Sequence, residues 1–199
     1  MYLFIETICY EKGSFHRIEL HNERCNQTRR HFFGDQRSIK FQNHLCIPHN
    51  LIDFKVKCTV TYGIDVISII YSKYEVKPIN SLLIVNDNHI EYSFKYSDRK
   101  DLTLLSENKG QHSDILIVKN GLITDTSYAN IIFKHNNNWY SQSKPLLLGT
   151  RLQSYFKDKR VIPARLTIKA ISHFSEARII NAMISIEDSP VIPIDHIFY

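Results

Sequence analysis

Residues 114–133 read DILIVKNGLITDTSYANIIF, and the pattern predicts a β-hairpin. Two apolar runs flank Asn120-Gly121, a pair that tolerates the positive φ angles a tight hairpin turn demands. The far end of the hairpin presents an acid, two hydroxyls and an amide: Asp125, Thr126, Ser127 and Asn130. Just upstream, FKYSDRKDL (94–102) places Lys95 after the alternating stretch HIEYSF (89–94), which with SLLIV (81–85) predicts two strands across an Asn/Asp turn. A helix is expected from SDRKDLTLLSENKG (97–110), with Ser97 or Asp98 as cap and Gly110 as stop.

Working outward, residues 2–9 and 14–20 predict a hairpin around the turn EKGS (11–14). LHNERCNQTRRHFF (20–33) predicts a helix with Leu20, Arg24, Gln27 and His31 on one side and Gly34 as its end. FKVKCTVTYG (54–63) and DVISIIYSKYEV (65–76) predict a second hairpin. Pro78 cannot continue a central strand, which sets an expected boundary between domains 1–77 and 78–199. Toward the C-terminus the expected elements are a hairpin continued across an Asn-rich turn to Trp139, and an amphipathic helix RLQSYFKDK (151–159). A helical stretch near 167–173 follows, and then a strand, a turn and a strand from Glu176.

Composition narrows the class of protein. With 199 residues and 43% hydrophobic content the chain can bury a substantial core. No stretch approaches the ~18 apolar residues of a membrane span, and no basic leader precedes the first strand, so a soluble, unprocessed, cytoplasmic protein is expected. The four cysteines form no CxxC pair and read as reduced thiols. A net charge of +5 is spread along the chain rather than gathered into a patch, which argues against nucleic acid and suits a phosphate and an anionic substrate. The ten histidines show no paired-ligand spacing, so no metal site is expected.

Several of these segments carry a resemblance. VKNGLITDTSYANIIF resembles the class IV aminotransferase pattern of a glycine turn, Thr-Glu, small residues and Asn-Ile/Leu-Phe. EARIINAM (176–183) resembles the family's later Asn-Ala-Leu/Met segment, particularly as found in 4-amino-4-deoxychorismate lyases. FKYSDRKDL is similar to the Lys-x-x-Asn-Arg segment around those lyases' cofactor-bearing lysine, LHNERCNQTRR to the His-x-x-Arg-Leu helix, and FIETI (4–8) to the opening strand. The matches follow the family's order along most of the chain. The resemblance implies an α/β (α+β) fold: the two-domain fold-type IV architecture of D-amino-acid aminotransferase-like enzymes, homodimeric, with pyridoxal 5'-phosphate between the domains and Lys95 in the larger C-terminal one.

The same resemblance implies the site. Lys95 would bear the cofactor, with Lys100 as the rival lysine. Asp125 stands where the family has glutamate and would hold the proton of the ring nitrogen; the residue-level alternative is a turn-capping aspartate. Asn130 would brace the site or satisfy backbone groups. Gly149 and Thr150 of LLLGTR (146–151), then Asn181, Ala182 and Met183, would bind the phosphate, and Arg24 would supply a positive charge unless it is a helix-surface arginine. Arg99 is either a substrate or cofactor contact or part of a solvated face. The implied activity is that of a lyase converting a small anionic amine, aminodeoxychorismate, to 4-aminobenzoate and pyruvate for folate synthesis. A class IV amino-acid aminotransferase and a non-catalytic dimeric binding protein on the same fold are the alternatives.

Overall fold

The computed structural model describes residues 2–35 and 37–199. Its backbone divides into two units: residues 2–75 together with Phe94–Asp98, and Val76–Ser93 together with Arg99–Tyr199. The division after Glu75 lies two residues before the boundary expected from Pro78. The segment carrying Lys95, expected in the C-terminal domain, clusters with the first unit.

In the first unit β1 (Phe4–Glu11), β2 (Ser14–Phe15), β3 (Val56–Tyr62) and β4 (Val66–Lys73) form an antiparallel sheet in the order β2-β1-β3-β4. The expected second arm of the first hairpin is only two residues long, because Ile18 already begins α1 (Ile18–Phe33). Phe4 and Ile8 of β1 and Val56, Cys58, Val60 and Tyr62 of β3 alternate onto the buried face, where they meet Phe41 and Cys25. α1 ends where expected: Gly34 takes φ +65° and its N–H caps the Arg30 carbonyl.

The buried face of α1 differs from the one predicted. It carries His21, Asn22, Cys25, Asn26, Thr28 and Arg29, while Gln27 and His31 face solvent. These polar groups tolerate burial because each finds a partner. Asn22 Oδ1 accepts from Phe41 N–H, the Asn26 amide exchanges two bonds with the Ile39 backbone, and Arg29 donates to the Ile64 carbonyl and to Asp35. The helix therefore binds loop 37–43 by hydrogen bonding rather than by an apolar stripe.

The second unit is a mixed sheet. β5 (Leu82–Asn86) runs parallel to β6 (Asp114–Lys119), with α2 (Lys100–Glu107) between them in sequence. The predicted hairpin forms from β6 and β7 (Leu122–Thr126), and Asn120 and Gly121 take φ +53° and +74°. The sheet continues through β8 (Asn130–His135), β9 (Asn138–Gln142) and β10 (Ile162–Ala164), with α3 (Thr150–Lys157) preceding β10. β11 (Glu176–Ile180) pairs with β8 and with β12 (Ile192–Pro193), and β13 (Ile197–Phe198) adds to β5. Ile115–Val118 of β6 and Ile131–Phe133 of β8 are buried throughout and form the centre of this unit.

The strand predicted over 89–94 is absent. The Asp87 carboxylate accepts from the N–H groups of His89 and Ile90, drawing the chain into a turn right after β5. The chain next pairs beyond Lys95, where Tyr96 bridges to Phe4 at the edge of the first unit's sheet.

Candidate active site

In the first unit Lys95 occupies an unusual backbone position. Tyr96 N–H bonds to the Phe94 carbonyl at 3.0 Å, a γ-turn centred on the lysine. The turn is pinned to β1: Ile5 N–H donates to the Lys95 carbonyl (2.9 Å) and Ser97 N–H to that of Leu3 (2.8 Å). Both neighbours are anchored by rings, Phe94 stacked on His31 (4.8 Å) and Tyr96 packed on Phe4 (5.3 Å). Lys95 thus sits, half-buried, on a turn bonded to β1 on both sides. The rival Lys100 is exposed in the first turn of α2, in the second unit.

Arg24 is also in the first unit, and it is no free helix-surface residue. Its Nε and Nη2 donate to the two oxygens of Glu6, each at 2.7 Å, a bidentate pair. Glu6 is wholly buried, and His21 Nδ1 meets its Oε2 at 2.5 Å. Burial alone would raise the Glu6 pKa, but the Arg24 charge and the hydrogen bonds from Arg24 and His21 pull it down to about 2. His21 shifts down, because burial outweighs the pull of Glu6. The residue inventory from sequence lacked Glu6 and His21. The available signal was a carboxylate at an inward-facing position of β1, between Phe4 and Ile8 on the same face.

In the second unit the structure brings Asp125, Asn130 and Gly149 together. Asp125 and Asn130 face each other as the Cα pair that joins β7 to β8. Asn130 Nδ2 donates to Asp125 Oδ1 (2.7 Å) and to the Leu147 carbonyl (2.8 Å), and its Oδ1 accepts from Gly149 N–H (3.2 Å). Leu147 N–H donates to Asp125 Oδ2 at 2.8 Å. Both Asp125 oxygens thus accept from groups beyond the 126–129 turn, which Thr126 and Ala129 close. A glycine is required at 149, because a Cβ there would lie 2.4 Å from Asn130 Oδ1.

Gly149 caps α3, whose first-turn N–H groups have no intrahelical acceptors and suit an anion. Thr150 is buried in that turn. Arg151, which the sequence reading passed over, reaches from α3 to the Asn181–Met183 turn: Nε donates to the Asn181 carbonyl (2.6 Å) and Nη2 to that of Ala182 (3.0 Å). Since a peptide's C=O and N–H point oppositely, holding the Asn181 carbonyl sends the Ala182 N–H away from Arg151. Met183 N–H, expected as a phosphate donor, is taken by Asn181 Oδ1 at 2.8 Å. Arg99 precedes α2, which begins at Lys100 rather than after the expected cap at Ser97 or Asp98. Its Nη2 donates to the Ser127 carbonyl (2.5 Å) and its guanidinium lies over Tyr92.

No family model matches the sequence. A protein from Haemophilus somnus 129PT, provisionally described as a 4-amino-4-deoxychorismate lyase, superposes with a TM-score of 0.86 at 28% identity, over 92% of this chain and 97% of its own. A hypothetical aminotransferase from Mycobacterium tuberculosis, solved with pyridoxal phosphate bound, superposes with a TM-score of 0.74 at 11% identity, over 96% of this chain and 80% of its own, a likeness of fold alone. The class is thereby fixed: the fold is fold-type IV, that of class IV pyridoxal-phosphate aminotransferases and the related lyases, as the sequence resemblance implied. Within it, the chain belongs to the family of an uncharacterised Haemophilus influenzae protein, to which it is 33% identical over 186 residues, 92% of this chain and 98% of that one.

Proposed function

We propose that this protein is a pyridoxal-phosphate-dependent lyase that releases 4-aminobenzoate and pyruvate from 4-amino-4-deoxychorismate. The observation carrying this reading is the 28% identity and near-complete mutual coverage with the Haemophilus somnus protein. That relative and the Haemophilus influenzae one are each matched over nearly their whole length, 97% and 98%.

The residues present fit the cofactor's chemistry. Lys95 offers an amine on a braced γ-turn, Asp125 a buried carboxylate, and α3 with the Asn181–Ala182 turn a set of directed N–H groups. The cofactor, when bound, supplies an aldehyde for the amine and a ring that withdraws electrons from the substrate. Lys95 Nζ is assigned to hold it and then to carry a proton of the substrate. Asp125 is assigned to keep the ring nitrogen protonated, with Asn130 and Leu147 N–H fixing the carboxylate's orientation. Gly149, Thr150 and Ala182 are assigned to the phosphate through their backbone. Arg24 is assigned to the phosphate as well, held in place by Glu6. Met183 remains in the reading as the residue whose bond to Asn181 shapes the second turn.

A homodimer working in the cytoplasm in folate synthesis completes the proposal. Among the described residues no helix is long and apolar enough to cross a membrane. The deciding experiment supplies purified protein and pyridoxal phosphate with aminodeoxychorismate and, in parallel, with amino acids and 2-oxoglutarate. Pyruvate with 4-aminobenzoate supports the lyase; amino transfer alone replaces it with the aminotransferase reading. Protein that takes up no cofactor leaves the non-catalytic reading standing.

A further inference from the structure

The first hairpin brings together three side chains that the sequence keeps apart. Lys12 and Gly13 form its two-residue turn, with φ +53° and +77°. The register pairs Glu11 with Ser14 and Tyr10 with Phe15, and the bond from His16 N–H to the Cys9 carbonyl (2.8 Å) extends it by one pair. Cys9 and His16 are therefore cross-strand neighbours. Glu11, two residues from Cys9, shares its face of β1, opposite the face that Ile8 and Tyr10 turn to the core.

The donor atoms of Cys9, Glu11 and His16 all lie within 4.8 Å of one another. Bonds of ~2.3 Å to sulfur and ~2.0–2.2 Å to nitrogen and oxygen bring tetrahedral ligands to separations below this, so modest side-chain rotation closes the set. A thiolate, an imidazole and a carboxylate together favour a borderline ion such as Zn2+ over Mg2+ or Ca2+, which take all-oxygen shells. Cys9 is 1% exposed while Glu11 and His16 are half-buried, leaving a solvent side for a fourth ligand. An ion has to displace contacts these groups already make: Lys55 Nζ is 3.7 Å from Glu11 Oε1, a long, partly exposed pair, and His16 Nε2 meets the Glu11 carbonyl at 3.3 Å.

We propose that Cys9, Glu11 and His16 form a binding site for a Zn2+-class divalent ion, with water as the fourth ligand. Binding displaces the Cys9 proton to solvent, forms the three metal–ligand bonds and involves no change of oxidation state. The site cross-links the two arms of the hairpin that leads into α1. It is independent of the cofactor reading, and it explains why sequence spacing gave no metal signal: the ligands are joined by a turn rather than by a helical or CxxC interval.

The test titrates Co2+, a spectroscopic stand-in for Zn2+, into the full-length, tag-free, metal-stripped protein. The expected result is a thiolate-to-cobalt absorption band saturating at one equivalent and bleached by Zn2+. It should be lost in Cys9→Ser, shifted to at least tenfold weaker binding in His16→Ala and in Glu11→Gln, and unchanged in Cys46→Ser, which removes the exposed thiol. Should Cys9→Ser fail to fold, the two half-exposed variants decide. Absence of the band in the native protein, its survival in folded Cys9→Ser, or unaltered affinity in both His16→Ala and Glu11→Gln would overturn the proposal.

Discussion

Gly149→Ala isolates one contact in the second unit. The backbone at 149, with φ −66° and ψ 144°, accepts alanine without strain, so the substitution acts only through its Cβ, which would lie 2.4 Å from Asn130 Oδ1. Asn130 cannot yield freely, because its amide bonds Asp125, the Leu147 carbonyl and Gly149 N–H. Displacing it breaks three hydrogen bonds worth ~1 kcal/mol each and leaves a buried carboxylate short of a donor, a loss of roughly 2–4 kcal/mol. For a chain of this size that lowers Tm by about 4–16 °C. In an Asn130→Ala background the obstacle is gone. The same glycine-to-alanine change should then be neutral or stabilise by about 0.4–1 kcal/mol, through the reduced freedom of the unfolded chain. Thermal or urea unfolding of the four proteins completes the cycle. An equal cost in both backgrounds, or a cost below ~0.5 kcal/mol in the native one, would show that the Cβ does not displace Asn130.

Acid should destabilise the first unit through Glu6 and His21. Glu6 falls from 4.5 to about 2 in the folded state, so its contribution, roughly 3 kcal/mol, is present above pH 4.5 and lost as pH falls toward 2. His21, buried and shifted down, subtracts stability as pH falls below 6.5, because only the unfolded state readily takes the proton. Glu6→Gln should flatten the lower part of the unfolding free energy against pH; an unchanged profile contradicts the ion-pair reading. Asp125→Asn should lower turnover steeply and also lower Tm, because both carboxylate oxygens accept from donors and an amide NH2 cannot. Asp125→Glu should keep turnover while costing about 1–3 kcal/mol for the extra methylene. Near-normal turnover in the asparagine variant removes Asp125 from the cofactor site. Arg151→Lys should weaken binding of pyridoxal phosphate more than that of pyridoxal, as a residue that orients phosphate donors would; equal loss for both points to a purely structural role.

Local signals carried much of the fold. Asn120-Gly121 fixed the β6–β7 hairpin, because few residues take both positive φ angles, and Gly34 fixed the end of α1 for the same reason. What escaped was set by non-local bonding. The 89–94 stretch alternates like a strand, yet the Asp87 side chain claims the N–H groups a strand would offer. The spacing grouped Leu20, Arg24, Gln27 and His31 on one side of α1, whereas the buried residues are His21, Asn22, Cys25, Asn26, Thr28 and Arg29, with Asn22 and Asn26 bonded to loop 37–43. Lys95 was singled out by its surroundings in sequence, but its turn is held to β1 by backbone bonds and by its neighbours' ring contacts with His31 and Phe4, which lie 63 or more positions earlier in the chain. The partnership of Asn130 with Gly149 and the reach of Arg151 to the Asn181 turn span 19 and 30 positions and leave no local trace.

Borohydride reduction decides whether Lys95 carries the cofactor. Protein incubated with pyridoxal phosphate, reduced, digested and analysed by mass spectrometry should carry the reduced cofactor on the peptide containing Lys95, and Lys95→Ala protein of unchanged Tm should carry none. Cofactor fixed at Lys100, label persisting in Lys95→Ala, or no uptake by the native protein would contradict the account.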